Sequence, residues 1–306
     1  MGYPNLDKVV NHISTKSLFQ KKAVKNILDN ADSKYLAFAE EIIIRLNTAI
    51  GRGESHDYIA TAYLDYTKMI RLEEMYFMKE GKYRLDNFND AYEEIYSQDG
   101  HMHDYVVGLG LTQIFWPNHY EIVRFYLDTF LPRVKDSGIG AEVGVGHGIF
   151  HCELLRSAQK IRTTLIDISP VSLDMTKKMI AATNIDENRT SVKISDIQKE
   201  IPLKDQSLDV LLLGELIEHL QEGELVLSAL AKKMKKSGYC FFTTATNAPA
   251  EDHILLFRSL NEIRGFINRC GWQINDEHVG TIKRMSLEDA EKGGHTINYA
   301  SIISIK

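Results

Sequence analysis

The sequence predicts an α/β protein in which an all-α N-terminal domain precedes a doubly wound, mostly parallel seven-stranded sheet. Up to about residue 131, apolar residues recur at helical spacing and strand-like alternation is nearly absent. After Ser137-Gly138, short apolar runs alternate with amphipathic segments, which is typical of strands and helices in a parallel sheet. We therefore predict a helical domain over residues 1–135 and a sheet domain over residues 136–306.

Helical periodicity divides the N-terminal half into several helices. Two interruptions, Gly51-Arg-Gly53 and the polar stretch around Gly81 and Lys82, separate helices rather than domains. A further helix pair is expected over residues 86–130, ending near Pro132.

Seven apolar runs in the C-terminal half are the expected strands. Two residues indicate where the helix after the second strand begins. Ser169 can N-cap it, and Pro170 suits its first position, where no amide hydrogen is needed. The last two runs are long and are separated by a polar excursion, which indicates an antiparallel finish. The predicted strands are 139–143, 163–166, 192–194, 208–213, 240–244, 272–282 and 297–305.

Composition excludes several classes of function. Thirty-six basic against 42 acidic residues give a net charge of -6, so neither nucleic acid nor an anionic membrane is an expected partner. Three widely spaced cysteines are too few for a disulfide framework or a closed zinc site. The N-terminus shows no signal-peptide pattern, and the apolar runs are too short to span a bilayer, so we expect a cytoplasmic protein.

A glycine loop carries the clearest functional signal. The segment Glu142-Val-Gly144-Val-Gly146-His-Gly148 follows the first strand and opens an amphipathic helix. Glycines there permit positive φ and let a ligand approach the backbone, whereas an isolated pair could serve a tight turn alone. A dinucleotide fingerprint would need a third glycine where Ile149 stands.

The loop resembles motif I, E/D-x-G-x-G-x-G, of the class I S-adenosylmethionine-dependent methyltransferases. This resemblance implies a Rossmann-like sheet and S-adenosyl-L-methionine as the cofactor. It further implies that Gly144, Gly146 and Gly148 wrap the amino-acid end and ribose of the cofactor and that Glu142 orders the loop.

Two further strand ends fit the same family. Asp167 ends the second strand, where an acid can accept both ribose hydroxyl hydrogens, as it also does in dehydrogenases. With its neighbour Ile168 we assign it to the cofactor site. Asp196 and Ile197 resemble the family's adenine site, and a solvated loop aspartate is the alternative for Asp196.

The fourth strand leads into Glu215-Leu-Ile-Glu218-His219, which resembles motif IV in the branch of the family with an E-x-x-E-H sequence. Ligands of doubly wound sheets bind at the carboxyl ends of strands, so Glu215 is expected to contact the cofactor. Glu218 and His219 could equally begin a helix, with capping or supporting roles.

The loop after the fifth strand is where acceptor and cofactor methyl should meet. Methyl transfer requires a nucleophile held about 3 Å from the methyl carbon, in line with the sulfur. His253 is the candidate general base, since an unperturbed imidazole can accept a proton at neutral pH. A capping Asp252 beside a surface His253 is the alternative.

Small polar groups among aromatic side chains predict an acceptor pocket in the helical half. A role in the core is the alternative for Trp116 and Tyr120. No metal site is expected, because His101 and His103 lie on different helix faces and the magnesium-ligand pattern of catechol-type enzymes is absent. The predicted acceptor-binding residues are Tyr105, Gln113, Trp116, Asn118, His119 and Asn247.

The N-terminal half resembles the helical extension of methyltransferases from bacterial secondary metabolism. The resemblance is carried by residues 83–96 and by Gly108-Leu-Gly-Leu through Trp116-Pro-Asn-His119. It implies that this half covers the active site and forms a homodimer.

These features predict methyl transfer to an oxygen or nitrogen of a small-molecule metabolite in a biosynthetic pathway. A cofactor-binding regulatory or scaffold protein without chemistry is the second interpretation. A nicotinamide-dependent oxidoreductase is remote, since the G-x-G-x-x-G loop is missing.

Overall fold

A helical region occupies the first part of the chain in the computed structural model, which describes residues 2–51, 55–281 and 285–306. Short helical turns at residues 92–96 and 126–133 join or extend the helices. The helices are α1 (Pro4–Lys16), α2 (Leu18–Leu28), α3 (Ser33–Ile50), α4 (His56–Glu80), α5 (Phe88–Ala91), α6 (Asp99–Phe115) and α7 (Pro117–Phe125).

Local sequence sets the helix ends. Gly51 and Gly81 stop α3 and α4 in the left-handed conformation, each with φ 68°, as the sequence predicts. Gly53 of the first interruption lies outside the described residues. The predicted helix pair over residues 86–130 is wrong: three helices occupy it, because the residue before Pro117 is held extended and ends α6.

Seven strands form one sheet in the order β3-β2-β1-β4-β5-β7-β6. Strands β1 to β5 are parallel, and β7 runs antiparallel to both β5 and β6, which confirms the doubly wound sheet with an antiparallel finish. The predicted end at Ile282 lies outside the described residues. The strands are β1 (Ser137–Val143), β2 (Lys160–Asp167), β3 (Thr190–Ile194), β4 (Leu208–Leu213), β5 (Met234–Thr246), β6 (Trp272–Thr281) and β7 (Ile297–Ile305).

Helices cover both faces of the sheet. Ser169 caps the helix after β2 as predicted, its hydroxyl oxygen accepting from the Ser172 N–H, with Pro170 at the first position. The helices of this half are α8 (Ile149–Ser157), α9 (Pro170–Ala181), α10 (Gly223–Ala231), α11 (Leu260–Arg269) and α12 (Leu287–Gly293).

The helical region and the sheet share one hydrophobic core. Tyr126, fully buried, packs edge-on against Phe241 of β5 with ring centroids 4.8 Å apart. Its hydroxyl donates a 2.7 Å hydrogen bond to the carbonyl oxygen of Phe150 in α8. The division at residue 135 stays a prediction, and the packing across it places α4 and α6 over the carboxyl ends of the strands.

Across the three described ranges, no helix combines the length and apolar character needed to cross a membrane.

Candidate active site

A cavity of about 1280 Å³ lies between the carboxyl ends of the central strands and the helical region. Its wall contains every residue that the sequence assigns to cofactor, acceptor or catalysis, with the exception of Gly148. Gly148 instead stands at the start of α8 with φ 69°, and a Cβ there would lie 2.8 Å from the Thr176 hydroxyl oxygen. Glycine is needed at position 148 for its positive φ and for the close packing of the α8 start against α9.

The glycine loop presents its backbone to the cavity. Gly144 has φ 72°, and a Cβ there would lie 2.7 Å from Leu216 Cδ1. Gly146 has φ 45°, and a Cβ at that position would have no heavy atom closer than 3.9 Å. The loop therefore needs glycine at 144 for both conformation and close packing, and at 146 for conformation.

Asp167, at the end of β2, is oriented by the backbone around it. Its Oδ2 accepts from the Val145 N–H of the glycine loop at 2.8 Å, and its Oδ1 accepts from the Ser169 N–H at 2.8 Å. Burial raises the pKa of Asp167, and the backbone donors oppose that rise. The carboxylate is thus fixed beside the loop.

Glu142, just before the glycine loop, connects the end of β1 to α8. It is buried at the end of β1, with Oε2 3.1 Å from Nδ1 of His151 in α8. His151 Nε2 in turn lies 3.0 Å from the Thr163 hydroxyl on β2. Burial raises the pKa of Glu142, which the histidine counteracts. This chain ties the strand to the helix on either side of the loop.

His147 was not singled out from the sequence, yet it lines the cavity between the glycine loop and α6. The Ile149 N–H donates to its Nδ1 at 3.1 Å, so this nitrogen must be unprotonated. Burial, followed by the nearby His119, lowers the pKa of His147 to about 3. No sequence pattern singles it out, because a histidine between two glycines has no distinctive spacing.

Asp196 and Ile197 lie on the β3 side of the cavity. The Asp196 Oδ1 accepts from the Gln198 N–H at 3.1 Å, and Oδ2 pairs with Lys199 at 3.0 Å. Ile197 is buried against the second hydrophobic cluster of the sheet. An apolar side chain next to a carboxylate suits a purine ring and its exocyclic amine.

Glu215 occupies a strained position at the carboxyl end of β4. It has φ 47°, an unfavourable value for a residue with a side chain, and its N–H donates to the Thr243 hydroxyl at 2.9 Å. Its Oε1 is buried without a hydrogen-bond partner. Burial and the nearby Glu218 raise the pKa of Glu215 well above its usual value.

Asp252 joins the loop after β5 to the helical region. Its Oδ1 accepts from the Tyr105 hydroxyl at 3.2 Å, and its Oδ2 lies 3.2 Å from His219 Nδ1. Burial alone would lower the pKa of His219, but the Asp252 carboxylate raises it to about 9. Burial alone would raise the pKa of Asp252, and the charge of His219 brings it well below its usual value. The alternative of a simple capping aspartate is therefore wrong.

His253 is 8% exposed, so it is not the surface residue of the alternative interpretation. Its Nδ1 donates to the Ala248 carbonyl oxygen at 2.6 Å, which leaves a lone pair on Nε2. The ring lies edge-on to His219 with centroids 4.7 Å apart. Burial, followed by the charge of His219, lowers the pKa of His253, so the imidazole is neutral at pH 7.

Five of the six predicted acceptor residues line the helical side of the cavity, and the sixth, Asn247, follows β5. His119 packs edge-on against Trp116 at 4.9 Å, and burial lowers its pKa to about 4. Asn118 donates to Asn298 on β7 at 2.6 Å. Asn247 closes the far side with φ 46°. The wall is mixed aromatic and polar, which suits a small organic ligand.

Comparison with known proteins identifies the sheet-forming segment. Residues 141–242, which run from the end of β1 through the glycine loop and into β5, match a family model described as a methyltransferase domain. This part of the chain is a methyltransferase domain. No curated protein sequence matches the chain. The match supports methyl transfer as the chemistry of the domain.

Solved structures confirm the predicted class I fold of the domain. One is phosphoethanolamine N-methyltransferase 2 of Haemonchus contortus with S-adenosyl-L-methionine: 13% identity, 73% of this chain, 60% of that chain, TM-score 0.51. Another is a mitomycin 7-O-methyltransferase: 13% identity, 82% of this chain, 71% of that chain, TM-score 0.50. At such identity the likeness shows the fold alone.

Proposed function

We propose that the protein binds S-adenosyl-L-methionine in its cavity and transfers the methyl group to an oxygen or nitrogen of a small-molecule metabolite in a biosynthetic pathway. The observation that carries this proposal is the fixed Asp167 carboxylate beside a three-glycine loop of positive φ. An acid at that strand end is placed to accept from ribose hydroxyls.

The cofactor lies along the ends of β1 to β4. The backbone of Gly144 and the open space beside Gly146 take its amino-acid end, and Asp167 with Ile168 takes the ribose. Asp196 and Ile197 take the adenine, and Glu215 faces the cofactor from the end of β4. The order follows the carboxyl edge of the sheet, where doubly wound folds bind ligands.

The acceptor lies on the helical side. A cavity of about 1280 Å³ exceeds the roughly 300–1,000 Å³ typical of a single small-molecule pocket, so cofactor and acceptor fit together. His119 and His147 are neutral at pH 7 and add no charge to that side. A largely uncharged aromatic wall favours a small, mainly apolar acceptor.

His253 activates the acceptor. Its neutral Nε2 is available at the cavity wall because Nδ1 is committed to the Ala248 carbonyl oxygen. An acceptor that carries a proton must lose it when the new bond to the methyl carbon forms. We assign to this side chain the removal of that proton, directly or through a bound group.

A homodimer through α2 and α4 completes the proposal. Large apolar side chains on these two helices are exposed, among them Leu18 at 83% and Met78 at 85%. Contiguous exposed apolar side chains mark interaction surfaces. Light scattering tests this part, and a monomeric mass at micromolar concentration would remove it.

The first test is calorimetric titration with S-adenosylmethionine and S-adenosylhomocysteine. We expect saturable binding of both that weakens at least tenfold in Asp167→Ala, because the ribose partner is lost. Asp174→Ala, which removes an exposed aspartate of α9, is the matched control and should bind as the native protein does. No binding of either ligand by the native protein would overturn the proposal.

A second test follows label from methyl-labelled cofactor into metabolite extracts. Label in a small-molecule product supports the enzyme, and its loss in His253→Ala supports the assigned residue. Firm cofactor binding with no labelled product in any extract would favour the regulatory or scaffold interpretation. Binding of a nicotinamide dinucleotide in place of S-adenosylmethionine would favour the oxidoreductase.

A further inference from the structure

Two histidines and a glutamate converge at the β4–β5 end of the cavity. One ligand atom each from Glu218, His219 and His253 lies within 4.8 Å of the other two. Glu218 and His219 come from the turn after β4, and His253 from the loop after β5. The two histidines line the cavity wall.

The second hydrogen-bonding atom of each side chain is already engaged. His219 Nδ1 faces the Asp252 carboxylate at 3.2 Å, and His253 Nδ1 donates to the Ala248 carbonyl oxygen at 2.6 Å. A histidine that binds a metal through Nε2 usually donates its other N–H to a carboxylate or carbonyl oxygen. On His253 this leaves the Nε2 lone pair for a metal, and on His219 a metal would take the place of the Nε2 proton of the imidazolium.

Glu218 has the matching arrangement. Its Oε2 accepts from the Thr244 hydroxyl at 3.0 Å, while its Oε1 is buried with no hydrogen-bond partner. The residue is only 2% exposed, so bulk solvent does not reach this oxygen. The neighbouring Glu215 also has a buried, unpartnered Oε1. Leaving carboxylate oxygens unsatisfied in the interior is costly, and a cation would remove that cost.

We propose that Glu218, His219 and His253 bind one divalent transition-metal ion, Zn²⁺, with an open coordination position toward the cavity. Two imidazoles and one carboxylate are a common ligand set of catalytic zinc, whereas Mg²⁺ and Ca²⁺ prefer oxygen ligands. Ligand atoms around tetrahedral zinc lie about 3.4 Å apart at bonds of about 2.1 Å. Ligand atoms as far as 4.8 Å apart must therefore approach one another by up to about 1.4 Å on binding.

The proposed metal site indicates which class of acceptor the protein uses. This inference rests on the proposed methyl transfer. With zinc bound, His253 would act through the ion as its ligand and not as a free base: an acceptor hydroxyl in the open position would become more acidic on the metal and release its proton to water. The oxygen then forms a bond to the methyl carbon as the bond from carbon to sulfonium breaks. The electron pair stays on sulfur, leaving S-adenosylhomocysteine. The acceptor is therefore a small molecule with a hydroxyl group.

Calorimetric titration of the chelator-treated protein with Zn²⁺ alone tests the site. We expect one ion per chain with submicromolar affinity. His253→Ala should weaken binding at least 100-fold, and Glu218→Gln at least tenfold. His101→Ala removes an exposed histidine that pairs with Glu251 and should bind as the native protein does. Failure of the native protein to bind zinc, or equal binding by all three variants, would overturn the proposal.

The absorption spectrum of bound Co²⁺ reports metal coordination directly, and it would not change if the three side chains served only to stabilise the fold. Co²⁺ in place of zinc should give visible absorption bands of a four-coordinate ion, which disappear in His253→Ala. Asp252→Asn keeps all three ligands, and we expect it to weaken zinc binding 10–100-fold by releasing the His219 ring. Native-like affinity in that variant would contradict the role assigned to Asp252.

The two proposals fail separately. Zinc binding without S-adenosylmethionine binding would leave the metal site standing and remove the methyl transfer. S-adenosylmethionine binding and methyl transfer in a protein that binds no zinc would remove the metal site alone.

Discussion

The Tyr96 hydroxyl donates a 3.0 Å hydrogen bond to Oδ2 of Asp252, although 156 positions separate the two residues. Tyr96 lies in the helical turn after α5, and Asp252 lies in the loop after β5. The same carboxylate faces His219. The helical region therefore completes the polar end of the cavity and does more than cover it.

Tyr96→Phe should destabilise the protein by about 1–3 kcal/mol, because it removes a hydrogen bond to a buried ionised carboxylate. Urea unfolding measures the change. Tyr92→Phe, on the same turn but 40% exposed, is the control and should change stability by less than about 0.5 kcal/mol. Equal effects of the two variants would show that the Asp252 bond adds nothing to stability.

Gly144→Ala should abolish or greatly weaken cofactor binding. The new Cβ would lie 2.7 Å from Leu216 Cδ1, and φ 72° is unfavourable for alanine, so the loop must move. Gly271→Ala is the matched control: φ is 87° there, but no heavy atom lies within 4 Å of the new Cβ. It should cost about 1 kcal/mol of stability and leave S-adenosylmethionine affinity unchanged, as calorimetry can check.

Acid should weaken the fold through His147. Its folded pKa, about 3, lies below the unfolded value of about 6.5, so the unfolded chain binds the proton first. The full contribution to the unfolding free energy is present above pH 6.5 and is lost as the pH falls toward 3. The loss amounts to about 2 kcal/mol at pH 5. Denaturant unfolding of native protein and His147→Asn across pH 4–8 measures it.

The asparagine can still accept from the Ile149 N–H, and it does not titrate. Its unfolding free energy should therefore fall less between pH 7 and pH 5 than that of the native protein. Parallel pH profiles for the two proteins would contradict the assignment.

Phe241→Ala should destabilise the protein by about 3–5 kcal/mol, because the fully buried ring fills the contact between β5 and the helical region. We expect the helical region and the sheet to unfold in one transition, since they share a core. Calorimetry with near- and far-ultraviolet circular dichroism checks this. Two separate transitions would show that the helical half folds on its own.

The sequence predicts the helices, strands and loop motifs better than the tertiary contacts between them. The glycine loop, the acid after β2 and the cap at Ser169 depend on neighbours a few positions away, so local pattern suffices. The predicted helix pair over residues 86–130 is wrong because Pro117 holds Trp116 extended, which ends one helix and begins another. The approach of His253 to His219 joins two loops that share no local signal, and only the parallel order of β4 and β5 brings them together.

The insertion of β7 between β5 and β6 has a consequence for synthesis on the ribosome. Strand β6 leaves the ribosome before β7, yet within the sheet it pairs with β7 alone. Until residues 297–305 emerge, β5 exposes an unpaired, largely apolar edge, and β6 has no partner in this sheet. Unpaired edges of this kind promote aggregation. The nascent chain should therefore need chaperone protection until residues 297–305 have emerged.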